Sequence, residues 1–459
     1  MTYQSFSPYS GTLIKGFAEI TPEQIEAKLA QAQACYAPWR AQSYAHRATI
    51  IARAGAILHA RADEFARLIT LEMGKRLSEA HGEIEFSAQI MAYYAAHAAN
   101  FLAPEPLHPA SGTAHVESSP IGVIFGIQPW NFPFYQLARI AGPHLMAGNT
   151  LVVKHSETVP QCALAFEAIL REAGAPEGLY TNLFITHAQS SDLIDDPRIK
   201  GVCLTGSVRA GREVAGHAGR ALKVSTMELG GSDPFIVLED ADMDHTIPWA
   251  LWGRMYNAGQ TCCAAKRFIV IDSVADHFIA RLRTVFEALV PGDPLDATTT
   301  LAPLSSEAAL LRLLAQVEQA VARGASLLIG GKAIERTGSF MQPTILTDIT
   351  PDNPAFHDEF FGPVALIFRV QNEAEAIALA NHSDFGLGGS VWTQDLARGA
   401  RLASQIESGM VFINTLDWAD ADLPFGGIKD SGYGRELGAA GIRQFVNRKL
   451  VRTSDSPAP

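Results

Sequence analysis

Two α/β units with parallel sheets, preceded by a helical segment, are what this sequence of 459 residues predicts. Three observations carry the prediction. From Pro120 onward short apolar runs alternate with helical stretches, the rhythm of strands joined by crossover helices. The same rhythm resumes, less regularly, after Gly231. Before Ala103 the apolar residues recur at helical spacing and not at the alternation of strands.

The helical segment opens at Thr21-Pro22-Glu23-Gln24, where a capping threonine, a proline at the first helical position and a glutamine three residues after the cap coincide. Further on, Ile50, Ala54, Ile57, Leu58, Phe65, Leu68 and Ile69 recur at three and four, and Gly74 stands where a helix would stop. In the first α/β unit the spacing predicts strands over 121–127, 150–153, 179–185, 202–205 and 224–229, with helices over 161–173 and after Arg209. Strands over 268–271, 364–370, 390–392 and 410–413 are expected in the second. The proline-rich stretch 103–109 reads as a linker or the approach to a hairpin. No repeat and no low-complexity tract interrupts this plan.

The composition sets limits. At 47% hydrophobic the chain can bury large cores, and its length suggests about three domains at ~150 residues each. The net charge of −12, without a block of Lys or Arg, argues against nucleic acid as a partner. The first residues lack a signal-peptide pattern, and the apolar stretch 137–153 is broken by Arg139, His144 and Asn149, so neither export nor a membrane span is expected. The five cysteines (Cys35, Cys162, Cys203, Cys262 and Cys263) are odd in number and have no metal-ligand spacing. A reducing cytoplasm and no metal are the expectation.

Chemistry concentrates at a few positions. Gly259-Gln260-Thr261-Cys262-Cys263 puts a cysteine just after a glycine-containing turn, where its side chain can face a cleft and main-chain N–H groups can meet an oxyanion. A thiolate adds readily to an aldehyde, and the thioester that follows can still be hydrolysed. Cys35, Cys162 and Cys203 read as small buried hydrophobes. Glu228, in Glu228-Leu229-Gly230-Gly231, closes the last strand of the first unit, at the sheet edge where sites gather in such folds. Half buried among apolar groups, its carboxylate can serve as a general base. Pro129-Trp130-Asn131-Phe132-Pro133 is a stiff aromatic loop whose one amide, on Asn131, can donate to an oxyanion.

These residues together resemble the aldehyde dehydrogenase superfamily over nearly the whole chain. The order matches: Asn131, Lys154 after a strand, Glu228, Cys262 in Gly-Gln-x-Cys thirty-four residues after the glutamate, Glu359-Phe360-Phe361-Gly362-Pro363, Asn414, and Pro424-Phe425-Gly426-Gly427-Ile428-Lys429-x-Ser431-Gly432. The resemblance implies an aldehyde dehydrogenase-like fold of two Rossmann-like parallel-sheet domains with a small β oligomerisation extension. It assigns 1–102 and 121–230 to NAD(P) binding, 231–430 to catalysis, and 103–120 with 431–459 to oligomerisation as a homodimer or homotetramer. It implies attack by Cys262, an oxyanion held by Asn131 and the Cys262 N–H, hydride transfer to the nicotinamide, and hydrolysis of the thioester by water that Glu228 activates.

Thr205-Gly206-Ser207-Val208-Arg209-Ala210-Gly211 lacks the Gly-x-Gly-x-x-Gly fingerprint. The resemblance implies a variant dinucleotide site in which Gly206, Ser207 and the helix N-terminus meet the pyrophosphate. Trp130, Lys154, Glu359 and Phe361 complete the implied cofactor contacts. Glu157, three residues beyond Lys154, can accept bonds from the adenosine ribose and repel a 2′-phosphate, which favours NAD over NADP; the alternative is a charge favourable near a helix start.

For the aldehyde itself, Arg139 lies eight residues after Asn131 in an apolar stretch and needs a partner, either an acidic substrate tail or an internal carboxylate. Succinate-semialdehyde dehydrogenases carry an arginine there, and Leu204–Gly211, Gly230–Leu238 and Ala264–Phe268 look like bacterial members of that group. Two positions depart from it: Tyr256 and Ala419 stand where an arginine and a serine are common. Arg254 is a nearby substitute, Tyr256 can donate a hydrogen bond, and Phe425 completes the implied substrate pocket. Adjacent Cys262 and Cys263 have geometry unfavourable for an easy disulfide, so no redox switch is expected. A cysteine hydrolase would need a histidine base that no motif supplies, and a non-catalytic binding protein would not need both Cys262 and Glu228.

Overall fold

The computed structural model describes residues 3–416 and 419–454; the outermost ends of the first and last expected segments, 1–2 and 455–459, lie outside them. The helical segment consists of Pro22–Arg40, Tyr44–Ala60, Ala62–Met73 and Leu77–Phe101. Thr21 starts the first of these with the expected capping box, its hydroxyl accepting from Gln24 N while the Gln24 amide accepts from Thr21 N. The apolar pattern from Ile50 to Ile69 is shared by two helices, because Arg61 leaves helical geometry between them. Gly74 ends the second in the left-handed region, φ 82°.

Two sheets follow. The first orders its six strands Gly432–Tyr433, Val224–Glu228, Ile199–Thr205, Val123–Gln128, Thr150–His155 and Tyr180–Asn182. All neighbours are parallel except Gly432–Tyr433, which pairs antiparallel with the strand ending at Glu228. The second orders seven: Ser326–Ile329, Thr344–Thr347, Val364–Val370, Ala265–Ile271, Asp233–Val237, Ser390–Trp392 and Phe412–Ile413. Only its first pair is antiparallel. A separate three-stranded sheet joins Val446–Thr453, Thr113–Pro120 and Glu105–Leu107, so the stretch 103–109 contains a strand.

The chain does not divide as cleanly as the assigned ranges. Gly432–Tyr433, placed with the oligomerisation segment, belongs to the first sheet before the chain reaches Val446–Thr453. The expected strand over 179–185 is limited to Tyr180–Asn182, since beyond Leu183, whose N–H still donates to Val153 O, the chain turns toward the helix capped by Thr186. Strands buried on both faces account for the near-continuous apolar runs, as in Val364–Val370 and Ala265–Ile271. No helix among the described residues is long and apolar enough to cross a membrane.

Candidate active site

The strand Val123–Gln128 leads into the Asn131 loop, and the loop into the helix Tyr135–Ala147. A buried ion pair holds this junction. Lys75 Nζ donates to Glu83 Oε2 at 2.5 Å and to the Asn131 carbonyl at 2.8 Å, and lies 3.7 Å from the centre of the Phe132 ring. The other Glu83 oxygen accepts from Phe134 N and Tyr135 N, the free N–H groups that open the helix. The Asn131 side chain is thereby fixed against the loop that carries Cys262: its Nδ2 donates to Gln260 O at 3.1 Å, and the Gln136 amide lies 2.9 Å from its Oδ1. An amide nitrogen has a second hydrogen to offer an oxyanion.

Cys262 follows a turn in which Asn257, Ala258 and Gly259 all have positive φ (54°, 52° and 78°). Two non-glycine residues in that region cost energy, and the site supplies the compensation. Asn257 Nδ2 bridges the Asn131 and Gln260 carbonyls, and Arg254 Nη2 donates to Gly259 O at 2.7 Å. Cys262 is the half-buried cysteine of five free thiols, the other four being buried. A hydrogen bond from the Cys263 thiol lowers its pKa, against burial, and the charges of Lys266 and Arg139 add to that effect; burial pushes Cys263 up.

Glu228 ends its strand buried, with neither carboxylate oxygen meeting a hydrogen-bond partner among the described residues. Burial, then the nearby Glu436 carboxylate, raise its pKa well above the usual range, opposed by Arg139. The motifs around it make room. Gly426, at φ 148°, would place a Cβ 2.6 Å from Glu228 Oε1, and a Cβ on Gly230 would overlap Glu359 Oε2. Ser431 staples the same region, its hydroxyl donating to Gly230 O while its carbonyl accepts from Leu229 N.

One cavity of about 430 Å³ is lined by Cys262, Cys263, Phe132, Tyr135, Tyr256, Phe425 and Arg139, with Glu83 and Asp420 also on its wall. Tyr256 stacks on Phe132. Arg139 reaches the cavity but already has an internal partner: Nε is ion-paired with buried Glu436, Nη1 donates to Tyr135 Oη at 3.1 Å and Nη2 to Thr205 Oγ1 at 3.0 Å. The Tyr135 and Phe425 rings flank the guanidinium at 4.9 and 4.8 Å. Arg254, the nearby arginine expected as a second anchor, is fully buried in the helix Met243–Met255, supports the turn before Cys262 through Gly259 O, and is not among the residues lining this cavity.

The implied cofactor residues fit a dinucleotide. Ser207 caps the helix Val208–Arg220, its hydroxyl accepting from Ala210 N, and is exposed, which leaves the first turn open to an anion. Lys154 is buried, yet its ammonium meets His155 O at 3.5 Å, Glu157 at 3.6 Å and the face of the Tyr3 ring at 5.6 Å, so it retains donors for a ribose. Trp130 and Phe361 meet edge to face, 5.9 Å apart. Asn414 instead has a main-chain duty: its amide bonds both Thr393 N and Thr393 O. Lys75, Glu83, Asn257, Lys266 and Glu436 were missed by motif reading, because each acts through a contact far away in the chain.

A family model, the aldehyde dehydrogenase family, matches residues 1–451. The chain belongs to the aldehyde dehydrogenase family. It is 49% identical over 459 residues to a protein of Deinococcus radiodurans named succinate-semialdehyde dehydrogenase [NADP(+)], covering 99% of this chain and 96% of that one. A Synechocystis protein named probable succinate-semialdehyde dehydrogenase [NADP(+)] is 46% identical over 451 residues, with 98% and 99% covered. Among solved structures, the succinic semialdehyde dehydrogenase of Streptococcus pyogenes in complex with NADP+ superposes with a TM-score of 0.97 at 43% identity, covering 99% of this chain and all of that one. The α/β aldehyde dehydrogenase fold and an NAD(P)-linked oxidoreductase activity on aldehydes follow.

The Lys75–Glu83 pair yields a stability test. Glu83→Ala leaves a buried ammonium unpaired and is expected to cost roughly 3–5 kcal/mol. The double change Lys75→Met with Glu83→Leu costs less, since no charge is stranded. Urea unfolding midpoints of the three proteins check the order.

Proposed function

We propose that the chain oxidises succinate semialdehyde, or a closely similar acidic aldehyde, to the carboxylic acid. The observation that carries this reading is that Cys262 and the Arg139 guanidinium line one cavity sized for a small substrate. The relatives' printed names support it. Three of the five guanidinium N–H donors are engaged by Glu436, Tyr135 and Thr205. Two remain for a substrate carboxylate.

In this reading the Cys262 thiolate adds to the aldehyde carbon, and the Asn131 amide with the Cys262 N–H holds the oxyanion. The bound nicotinamide supplies the hydride acceptor. Lys154, Glu359, Trp130, Phe361, Gly206 and Ser207 hold the dinucleotide. Glu228, as carboxylate, takes a proton from water, which attacks the thioester; the acid leaves and Cys262 regains its thiol. Because burial and Glu436 favour the protonated form of Glu228, the hydrolytic step must rise with pH over a range above that of an ordinary carboxylate.

Cofactor choice turns on Glu157. Its carboxylate opposes a 2′-phosphate, and we infer a preference for NAD. The opposite reading is supported by the Deinococcus and Synechocystis relatives, which are named for NADP(+), and by the Streptococcus pyogenes structure, which is in complex with NADP+. We further infer a homo-oligomer in the cytoplasm. The exposed Leu450 and Leu107 on the three-stranded sheet support the assembly.

Three measurements test these readings. Glu228→Gln is expected to give a burst of reduced cofactor followed by slow turnover, and to lose the acid limb of the pH profile; normal turnover removes Glu228 as the hydrolytic base. Arg139→Leu alone would strand Glu436, so the substrate test is the double variant Arg139→Leu with Glu436→Gln. It is expected to lose roughly 1.5–3 kcal/mol, about ten- to more than a hundredfold, in kcat/KM for succinate semialdehyde relative to butanal. Equal losses assign Arg139 to the fold. Glu157→Ser is expected to shift the ratio of efficiencies toward NADP, and an unchanged ratio assigns Glu157 to its ion pair with Lys154.

A further inference from the structure

The strand Ala265–Ile271 begins just past the nucleophile, and its second residue is a lysine with no exposed surface. An ammonium has three N–H donors. Lys266 spends them on Gly231 O at 2.5 Å, Cys262 O at 2.6 Å and Glu359 Oε1 at 2.9 Å. These acceptors come from three separate stretches of chain: the loop after Glu228, the nucleophile loop, and the Glu-Phe-Phe-Gly-Pro segment.

Glu359 is divided between two duties. Oε1 also accepts from Gly231 N at 3.1 Å, so that oxygen is fixed from two sides. Oε2 lies against the bare Cα of Gly230, in a position a side chain there would take. The Glu359 side chain keeps 21% of its surface exposed although its lysine partner has none. A carboxylate pinned by one oxygen and open at the other is suited to the hydroxyls of a ribose.

We propose that Lys266 is a positioning residue that locks Glu359 for the cofactor ribose and ties that lock to the main chain of Cys262, so that seating the dinucleotide and poising the nucleophile are linked. The proposal rests on the reading of Glu359 as a ribose contact. A lysine buried only to fasten strands would satisfy itself on main-chain carbonyls, without involving an open carboxylate. The link also has an electrostatic side. The ammonium favours the Cys262 thiolate while Glu359 opposes it, so whatever neutralises or moves Glu359 is felt at the sulfur.

The test uses the full-length protein with Lys266→Met, Lys266→Gln and Glu359→Gln. Two quantities are read: NAD affinity, from quenching of intrinsic fluorescence, and the pH dependence of Cys262 alkylation by iodoacetamide, located by peptide mass spectrometry. Lys266→Met is expected to weaken NAD binding about tenfold and to slow alkylation at pH 7 about tenfold, with the midpoint moved upward. Lys266→Gln is expected to fall between it and the parent, and serves alone if the Met variant does not fold. Added to Glu359→Gln, Lys266→Met is expected to cost no further NAD affinity. Unchanged NAD affinity in Glu359→Gln overturns the ribose reading and the proposal with it. A normal loss there, with parental affinity and alkylation in the folded Lys266 variants, overturns the proposal alone.

Discussion

The active centre is organised around a carboxylate that no group among the described residues satisfies. Glu228 is buried, both its oxygens lack a hydrogen-bond partner there, and a second buried carboxyl, Glu436, lies near it. Two such groups in one apolar region cannot both ionise freely unless a cation is close. Arg139 is that cation. Burial raises the proton affinity of both carboxyls; direct pairing with Arg139 opposes the rise at Glu436, and Glu228, which lacks such a pair, is raised the further, the direction a general base working above the ordinary carboxylate range requires. The rest of the neighbourhood follows from keeping this arrangement in place. Gly426 must lack a side chain to admit the Glu228 carboxylate, and Gly432–Tyr433 returns to pair with the strand that carries it.

The same logic of buried, internally paired charge recurs on each side of the nucleophile. Lys75 with Glu83 fixes the Asn131 loop from the helical segment, and Lys266 with Glu359 joins the nucleophile loop to the second sheet. Isolated, each ion would be strongly destabilising in such surroundings. Paired, and with their remaining donors on main-chain carbonyls, they hold loops at fixed spacing where apolar contacts alone would allow sliding. The left-handed Asn257 and Ala258 just before Cys262 show that the loop is held against its own conformational preference.

How much of this was legible in the sequence depended on the range of the interactions. The capping box at Thr21, the stop at Gly74, the alternation of strands and helices, and the crowding of motifs at Asn131, Glu228 and Cys262 are local signals, and the structure places each at a corresponding element. The break between Tyr44–Ala60 and Ala62–Met73 left no mark, because the apolar pattern runs through Arg61 without a proline or glycine. Glu436 could not be matched to Arg139 from spacing, since almost three hundred residues separate them. Lys75 and Asn131, 56 residues apart, are likewise beyond the reach of local spacing. Nearness in sequence to Tyr256 suggests Arg254 as a pocket residue, whereas its bond to Gly259 O, which supports the turn before Cys262, leaves no mark in the spacing.

Arg139 shows why the choice between a structural and a substrate role need not be exclusive. A guanidinium is planar and carries donors on two edges and at Nε. Here Nε is committed to Glu436, one donor on each terminal nitrogen is committed to Tyr135 or Thr205, and aromatic rings flank the group. Such an arginine is held in one orientation before any ligand arrives, so a bound carboxylate meets donors whose conformational freedom has already been removed. Part of its charge is, however, already offset by Glu436. In the proposed reading, the attraction left for a substrate carboxylate is therefore weaker than that of an unpaired arginine, and selectivity for an acidic aldehyde would rest more on the direction of the remaining N–H groups than on net charge.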